Sequence, residues 1–285
     1  MSVPVFKDHF IDANRINLHY IEYGTGDNVL LMLHGLTANA HAFDGLVAKG
    51  LDHGHRIISL DMRGRGLSYE PAFRYSVDDH ADDILGLMDG LGLKKVTIVG
   101  HSFGGYIGFY LAANYPERIE KLIVLDAAIE MNPNIVDMLA YAVSRVDKKF
   151  TSFADYLTAV KAAPYNTFWD DAMLSYYRAD VKDNDDGSVT PYSNLANITE
   201  MSLGLSRVDW TCTVKLVKQP TLLLNAMDEY TMGEPLLPEE KAKETVAVMQ
   251  DVQYVQVDGN HQTMLYGDGA KQIVKAIDKF LTQEA

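Results

Sequence analysis

The spacing of hydrophobic and polar positions changes along the chain, and its first part has the period of strands. "VFKDHFI" and "INLHYIEY" alternate roughly as half-buried strands do, with a turn at Ala13 and Asn14. "NVLLML" is then a continuous apolar run that ends at His34, as in a strand buried on both faces. The pattern predicts an antiparallel pair of strands that leads into a core strand.

Short apolar runs alternate with helical stretches in the next part of the chain. The strand-like runs are "HRIISLD", "KKVTIVG" and "IEKLIVLD", and the pattern predicts helices at about 77–91 and 103–115. Ser76 is a suitable N-cap for the first helix, and Pro116 stops the second. This alternation indicates a mostly parallel sheet with crossover helices.

The strand pattern disappears between about Glu130 and Trp210 and then returns. The intervening segment is helical in pattern, rich in Tyr, Phe and Trp, and has one polar turn at "KDNDDGS". "PTLLLNAMD" and "VQYVQVDG" restore the sheet, and helices are predicted at about 238–249 and 268–282. We therefore predict an α/β core, residues 1–129 and 211–285, that is interrupted by a helical cap at residues 130–210.

The charge balance and the apolar runs limit the partners of this protein. The 285 residues include 25 Lys and Arg against 39 Asp and Glu, a formal net charge of −14. Binding to phosphates takes clustered basic residues, so nucleic acid is not an expected partner. No apolar run approaches the roughly 20 residues that cross a bilayer, and Lys7 and Asp8 interrupt the region where a secretory signal would need one. We expect no membrane partner and a cytoplasmic location, and the single Cys212 excludes an intrachain disulfide.

The stretch "VGHSFGGYIG" places Ser102 between glycines, after an apolar strand and at the start of a predicted helix. A serine hydroxyl is a weak nucleophile until a base takes its proton, and the carbonyl it attacks needs donors for the developing oxyanion. A sharp turn from strand to helix exposes such a serine, and glycines at positions 100 and 104 let the backbones pass closely. The motif predicts a nucleophilic serine, with the backbone N–H of Phe103 directed toward the oxyanion.

The base and the acid for such a serine must come from distant loops. His261, in "VDGNHQTML", follows the last apolar strand and is the predicted base. Asp228 follows "PTLLLNAM", so that nucleophile, acid and base each come after a successive core strand, and we predict it as the acid. Asp126, at the end of "LIVLD", is the rival acid, and Asp258 and Glu229 are further alternatives.

Four stretches together resemble the α/β-hydrolase fold superfamily, in its capped branch of small esterases, lactonases and carbon–carbon hydrolases. "LMLHGLTANAHAF" at 31–43 is similar to the oxyanion loop of that family, and "DMRGRGLS" at 61–68 to its Asp-x-Arg-Gly-x-Gly-x-Ser turn. "GHSFGG" at 100–105 resembles the nucleophile elbow, and "DGNH" at 258–261 the histidine loop. Together these stretches span most of the chain outside the predicted cap.

The resemblance implies a fold and an oxyanion hole. The fold is α/β, a mostly parallel eight-stranded sheet with helices on both faces and an inserted helical cap. The oxyanion donors are the backbone N–H groups of Leu36 and Phe103. His34 would support the oxyanion loop by hydrogen bonding, although a plain structural histidine is an equally good interpretation. Arg63 is expected to pin loops together rather than touch substrate.

The sequence implies neither a metal nor a cofactor. The histidines have no metal-ligand spacing, there is no Cys cluster, and no G-x-G-x-x-G follows a first strand. Tyr141, Phe168 and Trp169 in the cap are expected to bind substrate in an apolar, partly aromatic pocket, although helical aromatic residues are more often core.

The predicted reaction is acyl transfer in two steps. Ser102 attacks, His261 takes and returns the proton, Asp228 holds the imidazolium, and water clears the acyl-enzyme. A serine at the elbow argues against the dehalogenases and epoxide hydrolases of the family, which use an aspartate there. The expected substrate is a small carboxylic ester or lactone. Hydrolysis of a carbon–carbon bond beside a ketone and a ligand-binding, receptor-like relative with weak hydrolysis are the alternatives, and a homodimer is left open.

Overall fold

A computed structural model describes residues 4–283, in which one eight-stranded sheet forms the centre of the fold. The strand order is β1-β2-β4-β3-β5-β6-β9-β10, and every neighbouring pair is parallel except β1–β2 and β2–β4. The strands are β1 Lys7–Ala13, β2 Ile16–Gly24, β3 Val29–Leu33, β4 Arg56–Leu60, β5 Val96–His101, β6 Ile119–Leu125, β7 Val181–Asp183, β8 Val189–Pro191, β9 Thr221–Ala226 and β10 Val252–Val257. The expected mostly parallel, eight-stranded sheet is confirmed.

Helices cover both faces of this sheet, which agrees with the expected architecture. They are α1 Asp44–Val47, α2 Val77–Gly90, α3 Phe103–Asn114, α4 Ile135–Met138, α5 Ala140–Ser144, α6 Phe153–Lys161, α7 Asp171–Ala179, α8 Leu195–Leu205, α9 Trp210–Lys215, α10 Glu239–Val248 and α11 Gly267–Leu281. Short 3₁₀ turns lie at Ala40–Phe43, Pro116–Arg118 and Thr263–Leu265. The four helices predicted outside the cap begin and end within two residues of the predicted bounds.

The alternating sides of the strands bury two apolar cores. One core packs α1 and α11 against the sheet, and the other packs α2 and α3 against the opposite face. In β9, Leu222 and Leu224 join the first of these cores while Leu223 packs with Ala242 of α10. All six residues of β5 are buried, so the strand before Ser102 is fixed by packing on both faces.

Local polar groups fix the loops that flank the central strands. Ser76 caps α2 in a capping box with Asp79, which confirms the predicted helix start. The buried Arg63 donates to both carboxylate oxygens of Asp83, at 2.6 and 2.5 Å, and also to the carbonyl of Arg74. Arg63 therefore ties its own turn to α2 and to the loop before it, as the family resemblance implies.

The segment at 130–210, called the cap segment below, lies in the chain between β6 and β9. It forms α4 to α8. The sequence predicts a helical cap, but the segment also contains two short strands. The strands β7, which includes the first two residues of "KDNDDGS", and β8, which follows this stretch, pair in an antiparallel hairpin. This turn allows the hairpin because Gly187 adopts a φ of 81°, which costs glycine little.

No helix within residues 4–283 is long and apolar enough to cross a membrane.

Candidate active site

Ser102 occupies a strained turn between β5 and α3. Its φ and ψ of 54° and −116° lie in a region that residues with a Cβ rarely adopt. The backbone is held there because the N–H of Ser102 donates to the carbonyl of Leu125 at 2.9 Å, while its own carbonyl accepts from Gly105 at 2.9 Å. The side chain is only partly buried, so the turn presents the hydroxyl at the carboxyl edge of the sheet.

The glycines on either side of Ser102 are required by close backbone approaches. A Cβ at Gly100 would overlap the carbonyl of Gly104, and a Cβ at Gly104 would overlap the carbonyl of Leu33 in β3. The N–H of Gly104 also donates to the carbonyl of His34 at 3.1 Å. The sequence prediction about positions 100 and 104 is therefore confirmed, and it links the elbow to the oxyanion loop.

His261 is paired with Asp126 at the end of β6. Its Nδ1–H donates to Oδ2 of Asp126 over 2.6 Å, and both side chains are buried. The other carboxylate oxygen of Asp126 accepts from the side chain of Asn225 at 3.0 Å and from the N–H of Ala226 at 2.8 Å. The carboxylate is thus fixed by donors on the neighbouring strand β9, and it fixes the imidazole in turn.

The prediction that Asp228 orients His261 was wrong, and the rival Asp126 takes that position. Asp228 is exposed, two residues beyond the end of β9, and its carboxylate accepts from the N–H of Gly259 at 3.2 Å. Asp228 therefore braces the loop before His261. Asp126 reaches the imidazole because β6 is adjacent to β5, which carries Ser102, whereas β9 lies one strand further away.

Ser102 and His261 line the same cleft, at the carboxyl ends of β5 and β10. With Nδ1 bonded to Asp126, the Nε2 atom of His261 is the ring nitrogen left for a proton from substrate or serine. Among residues 4–283 no hydrogen bond joins the Ser102 hydroxyl to His261; such bonds often tighten only when substrate binds. The arrangement matches the order of a nucleophile, a base and an orienting carboxylate.

His101 supports His261 from behind. Its Nε2–H donates to the carbonyl of His261 at 2.8 Å, and the centres of the two rings are 4.6 Å apart. Burial, together with the nearby imidazole of His261, holds the pKa of His101 well below its ordinary value. His101 therefore stays neutral and acts as a fixed donor to the backbone of the histidine loop.

The oxyanion loop after β3 is held through its carbonyl groups. The Nδ1–H of His34 donates to the carbonyl of Gly35 at 2.7 Å, and its Nε2 accepts from the N–H of Met62 at 3.1 Å. Burial lowers the pKa of His34 to about 4, so this tautomer is neutral. Because the carbonyl of Gly35 and the N–H of Leu36 belong to the same peptide group, His34 orients the N–H that was predicted as an oxyanion donor.

The two predicted oxyanion donors are available for a ligand. The N–H groups of Leu36 and Phe103 donate to no acceptor within residues 4–283. Phe103 is the first residue of α3, where the helix dipole adds partial positive charge. Leu36 lines the cleft beside Ser102. The geometry is therefore consistent with an oxyanion hole at these two groups.

The cap segment closes the cleft with aromatic and aliphatic side chains. The cleft encloses about 600 Å³, including space open to solvent. Its wall from the cap segment and the loop after β9 consists of Leu139, Ala142, Val143, Arg145, Tyr165, Tyr176, Tyr177 and Tyr230. Gln262 and Leu265 complete it beside His261.

The three aromatic residues predicted to bind substrate do not line this cleft, so that prediction was wrong. Trp169 stacks on Tyr177 at 5.4 Å between ring centres and packs into the core behind the wall. Tyr141 points into a separate cavity between α5 and α6, and Phe168 lies in a surface groove near α11. None of the three is among the residues that line the cleft beside Ser102, and sequence alone does not show how cap residues are placed against that cleft.

Sequence reasoning missed Arg145, Tyr165 and Tyr230, which do line the cleft. No sequence motif surrounds these residues, and their separation from Ser102 along the chain does not indicate that they line the cleft. Asn260 lies within "DGNH", and the sequence predicts no role for it. Its side-chain amide donates to the carbonyl of Tyr165 at 2.8 Å, so it ties the histidine loop to the cap segment.

Within residues 4–283 no group of three or more His, Cys, Asp and Glu side chains is placed to hold a metal ion.

Comparisons with known proteins agree with this fold. The family model of the alpha/beta hydrolase fold matches residues 28–244. A 2-(acetamidomethylene)succinate hydrolase of Mesorhizobium japonicum is 29% identical over 228 residues, which make up 79% of this chain and 80% of that protein. A cis-3-alkyl-4-alkyloxetan-2-one decarboxylase of Shewanella oneidensis is 32% identical over 189 residues, 61% of this chain and 58% of that protein.

A solved structure extends the similarity over almost the whole chain. The crystal structure of an E-2-(acetamidomethylene)succinate hydrolase matches with a TM-score of 0.85 and 26% sequence identity, and the match covers 98% of this chain and 100% of that one. This match covers more of the chain than the family model, which ends at residue 244.

Proposed function

This chain belongs to the α/β-hydrolase fold family, and from that membership we propose that it is a serine hydrolase that cleaves a small carboxylic ester or lactone. The observation that carries the proposal is the hydrogen bond of 2.6 Å between His261 and Asp126, beside a strained and partly exposed Ser102. A general base requires an imidazole with one nitrogen fixed by a carboxylate and the other left to accept a proton, and His261 has this arrangement in the cleft that Ser102 also lines.

The proposed reaction proceeds through an acyl-enzyme. Nε2 of His261 takes the proton of Ser102 as its oxygen attacks the carbonyl carbon, and the negative charge develops on the carbonyl oxygen near the N–H groups of Leu36 and Phe103. Collapse of this intermediate expels the alcohol, which takes the proton back from His261. Water then repeats the sequence and releases the carboxylic acid. Asp126 stabilises the imidazolium during both steps.

The lining of the cleft supports a small, mostly uncharged substrate. Apolar groups on Leu139, Ala142 and Val143 face the tyrosine side chains across the cleft. Among the described lining residues Arg145 is the one Lys or Arg side chain, and its N–H groups already bond to Asp180, Thr37 and Ala142. A substrate carboxylate would have to compete with those partners.

A second candidate, hydrolysis of a carbon–carbon bond beside a ketone, rests on one observation. The side chain of Gln262 lines the cleft and has no hydrogen-bond partner within residues 4–283, so its amide is free to bind a substrate carboxylate or carbonyl. The relative named as a 2-(acetamidomethylene)succinate hydrolase carries a dicarboxylate in its substrate name, which is consistent with such a role.

Hydrolysis of p-nitrophenyl acetate, butyrate and octanoate by the wild type and by Ser102→Ala tests the proposal. We expect turnover that falls with acyl length and is lost in the variant, with matched folding by circular dichroism. A five-membered lactone followed by acid release tests the second substrate class. Equal rates in both proteins would reject the serine mechanism. A wild type inactive on esters and lactones but active on a vinylogous 1,5-diketone would favour the carbon–carbon reaction.

A further inference from the structure

Arg145, at the end of α5, connects the cap segment to the oxyanion loop. The residue is 6% exposed and lines the cleft. Nε and Nη2 donate to the two oxygens of Asp180, at 3.0 and 3.4 Å, and Nη1 donates to the carbonyl of Ala142 at 2.6 Å. Nη2 also donates to the carbonyl of Thr37 at 2.8 Å, and Nη1 to its hydroxyl at 3.3 Å. The N–H donors of the guanidinium therefore hold the cap segment and the oxyanion loop together.

The contact with Thr37 completes a series of three anchored carbonyl groups. The carbonyl of Gly35 accepts from His34 at 2.7 Å, and that of Leu36 accepts from Nε of Arg65 at 2.8 Å. The carbonyl of Thr37 is the next in the chain and accepts from Arg145. The N–H of Leu36 lies within this series. Two of its three anchors belong to the core, and the third belongs to the cap segment.

Other hydrogen bonds join the cap segment to the same edge of the sheet. Asn39, two residues beyond Thr37, donates to the carbonyl of Tyr176 at 3.2 Å, and Asn260 donates to the carbonyl of Tyr165 at 2.8 Å. In both of these the donor is on the core and holds the cap segment. Arg145 is different because the donor is on the cap segment and holds the oxyanion loop.

We propose that Arg145 is a positioning residue, which couples closure of the cap segment over the cleft to the assembly of the oxyanion hole at Leu36. This inference rests on the proposed serine mechanism. His34 and Arg65 hold the two peptide groups on either side of Leu36, and Arg145, when engaged, fixes the next peptide group, between Thr37 and Ala38, before the reaction begins. When the cap segment moves away, the oxyanion loop loses one of its three anchors. The N–H of Leu36 is then no longer held in the direction of the oxyanion. Loss of one oxyanion donor typically lowers kcat by about 10² to 10³.

Arg145→Lys separates this role from a general effect on the cap segment. An ammonium can pair with Asp180, but it cannot also reach Ala142 and Thr37 with a planar fork. We expect kcat for p-nitrophenyl acetate to fall by about 10- to 100-fold, with KM changed by less than about threefold. A role in binding substrate directly would instead raise KM and leave kcat unchanged, and that result would overturn the proposal.

Tyr156→Phe is the matched control. The Tyr156 hydroxyl donates to Asp180, so this variant disturbs the same buried ion pair without touching Thr37. Tyr156 is buried behind the wall and does not line the cleft. We expect Tyr156→Phe to lower the free energy of unfolding while kcat stays near the wild-type value. Equal losses of kcat in Tyr156→Phe and Arg145→Lys would assign Arg145 to the stability of the cap segment alone and overturn the proposal.

A thionoester gives a readout that a merely structural role would not move. Sulfur accepts hydrogen bonds less well than oxygen, so misplaced oxyanion donors should slow an ester more than the thionoester of the same acid and alcohol. We expect the ratio of ester rate to thionoester rate to shrink at least fivefold in Arg145→Lys and to be unchanged in Tyr156→Phe. If Arg145→Lys does not fold, Thr37→Val removes the hydroxyl contact alone and should shrink the same ratio about twofold.

The two proposals fail in different ways in this experiment. A fluorophosphonate probe reports on Ser102 independently of the ester assay. If the wild type has no turnover that depends on Ser102 and the probe leaves Ser102 unmodified, the serine mechanism fails, and the role of Arg145 fails with it. If turnover depends on Ser102 but the ratio of rates is the same in the wild type, Arg145→Lys and Thr37→Val, only the role of Arg145 is rejected.

Discussion

Nδ1 of His261 lies 2.6 Å from Oδ2 of Asp126, a contact between residues 135 positions apart in the chain. Asp126 is fully buried and adopts a φ of 54°, so the strand end is bent to bring its carboxylate under the imidazole. Donors from Asn225 and Ala226 hold its second oxygen. The pair therefore forms a rigid unit that joins the ends of β6 and β10.

Asp126→Asn should nearly abolish activity, because an amide in this place favours the wrong tautomer of His261. We expect kcat to fall by about 10⁴ with little change in fold, since asparagine tolerates a positive φ. Asp228→Asn is the control, and its kcat should stay within about threefold of wild type because the exposed carboxylate of Asp228 bonds to the N–H of Gly259 and not to His261. Steady-state kinetics on p-nitrophenyl acetate measures both. A larger loss of kcat in Asp228→Asn than in Asp126→Asn would identify Asp228 as the acid, as the sequence predicts.

Ser102→Gly should be more stable than Ser102→Ala, because both lack the hydroxyl but only glycine adopts φ 54° and ψ −116° without strain. Relief of strain outweighs the extra chain entropy of glycine, and we expect a difference of about 1 kcal/mol in the free energy of unfolding. Urea denaturation of the two variants measures this difference. Equal midpoints would mean that the turn carries no strain.

Gly104→Ala should destabilise the protein by at least about 2 kcal/mol, because the new Cβ overlaps the carbonyl of Leu33 and the chain must move. Gly204→Ala in α8 is the matched control, since the nearest atom to its Cβ, Cα of Ser76, is 3.5 Å away. Alanine has a higher helix propensity than glycine, so Gly204→Ala should unfold at the same temperature as the wild type or at a higher one. Thermal unfolding compares the two. A Gly104→Ala protein as stable as Gly204→Ala would contradict the close packing of the elbow.

Acid should destabilise the fold between about pH 6.5 and pH 4 through buried neutral histidines. Burial lowers the pKa of His34 to about 4 and that of His80 to about 3, whereas both titrate near 6.5 when unfolded. In this window the unfolded chain binds protons that the native protein does not, so the free energy of unfolding falls as the pH falls. We expect a loss of at least about 2 kcal/mol for each histidine between pH 7 and pH 4.5.

Urea denaturation at several pH values measures this effect, and His80→Gln should reduce its size. His19 affects the free energy of unfolding at a pH above this window. Burial disfavours its charged form, but the interactions with Asp61 and Asp8 outweigh burial and raise its pKa. Its contribution is therefore complete below pH 6.5 and is lost as the pH rises through its folded pKa. A wild-type protein equally stable at pH 7 and pH 4.5 would contradict the prediction.

Much of the fold was readable from local patterns. The strands follow from apolar runs, the starts of α2 and α3 from Ser76 and the elbow, and the need for glycine at 100 and 104 from the sharpness of one turn. The sequence predicts helices throughout the cap segment because three-residue strands such as β7 and β8 carry too few positions to establish a period of two.

The sequence by itself predicted Ser102, His261 and the oxyanion loop as parts of one site, because each of them depends on a turn whose residues are neighbours in the chain. Only the tertiary structure decided that Asp126 rather than Asp228 meets the imidazole, and that Arg145 and Tyr165 rather than Tyr141, Phe168 and Trp169 face the cleft. Both aspartates follow core strands, so the choice rests on the order of strands in the sheet. Which cap residues face the cleft depends on how short helices pack against the carboxyl edge of the sheet. Local sequence determines neither this packing nor the order of the strands.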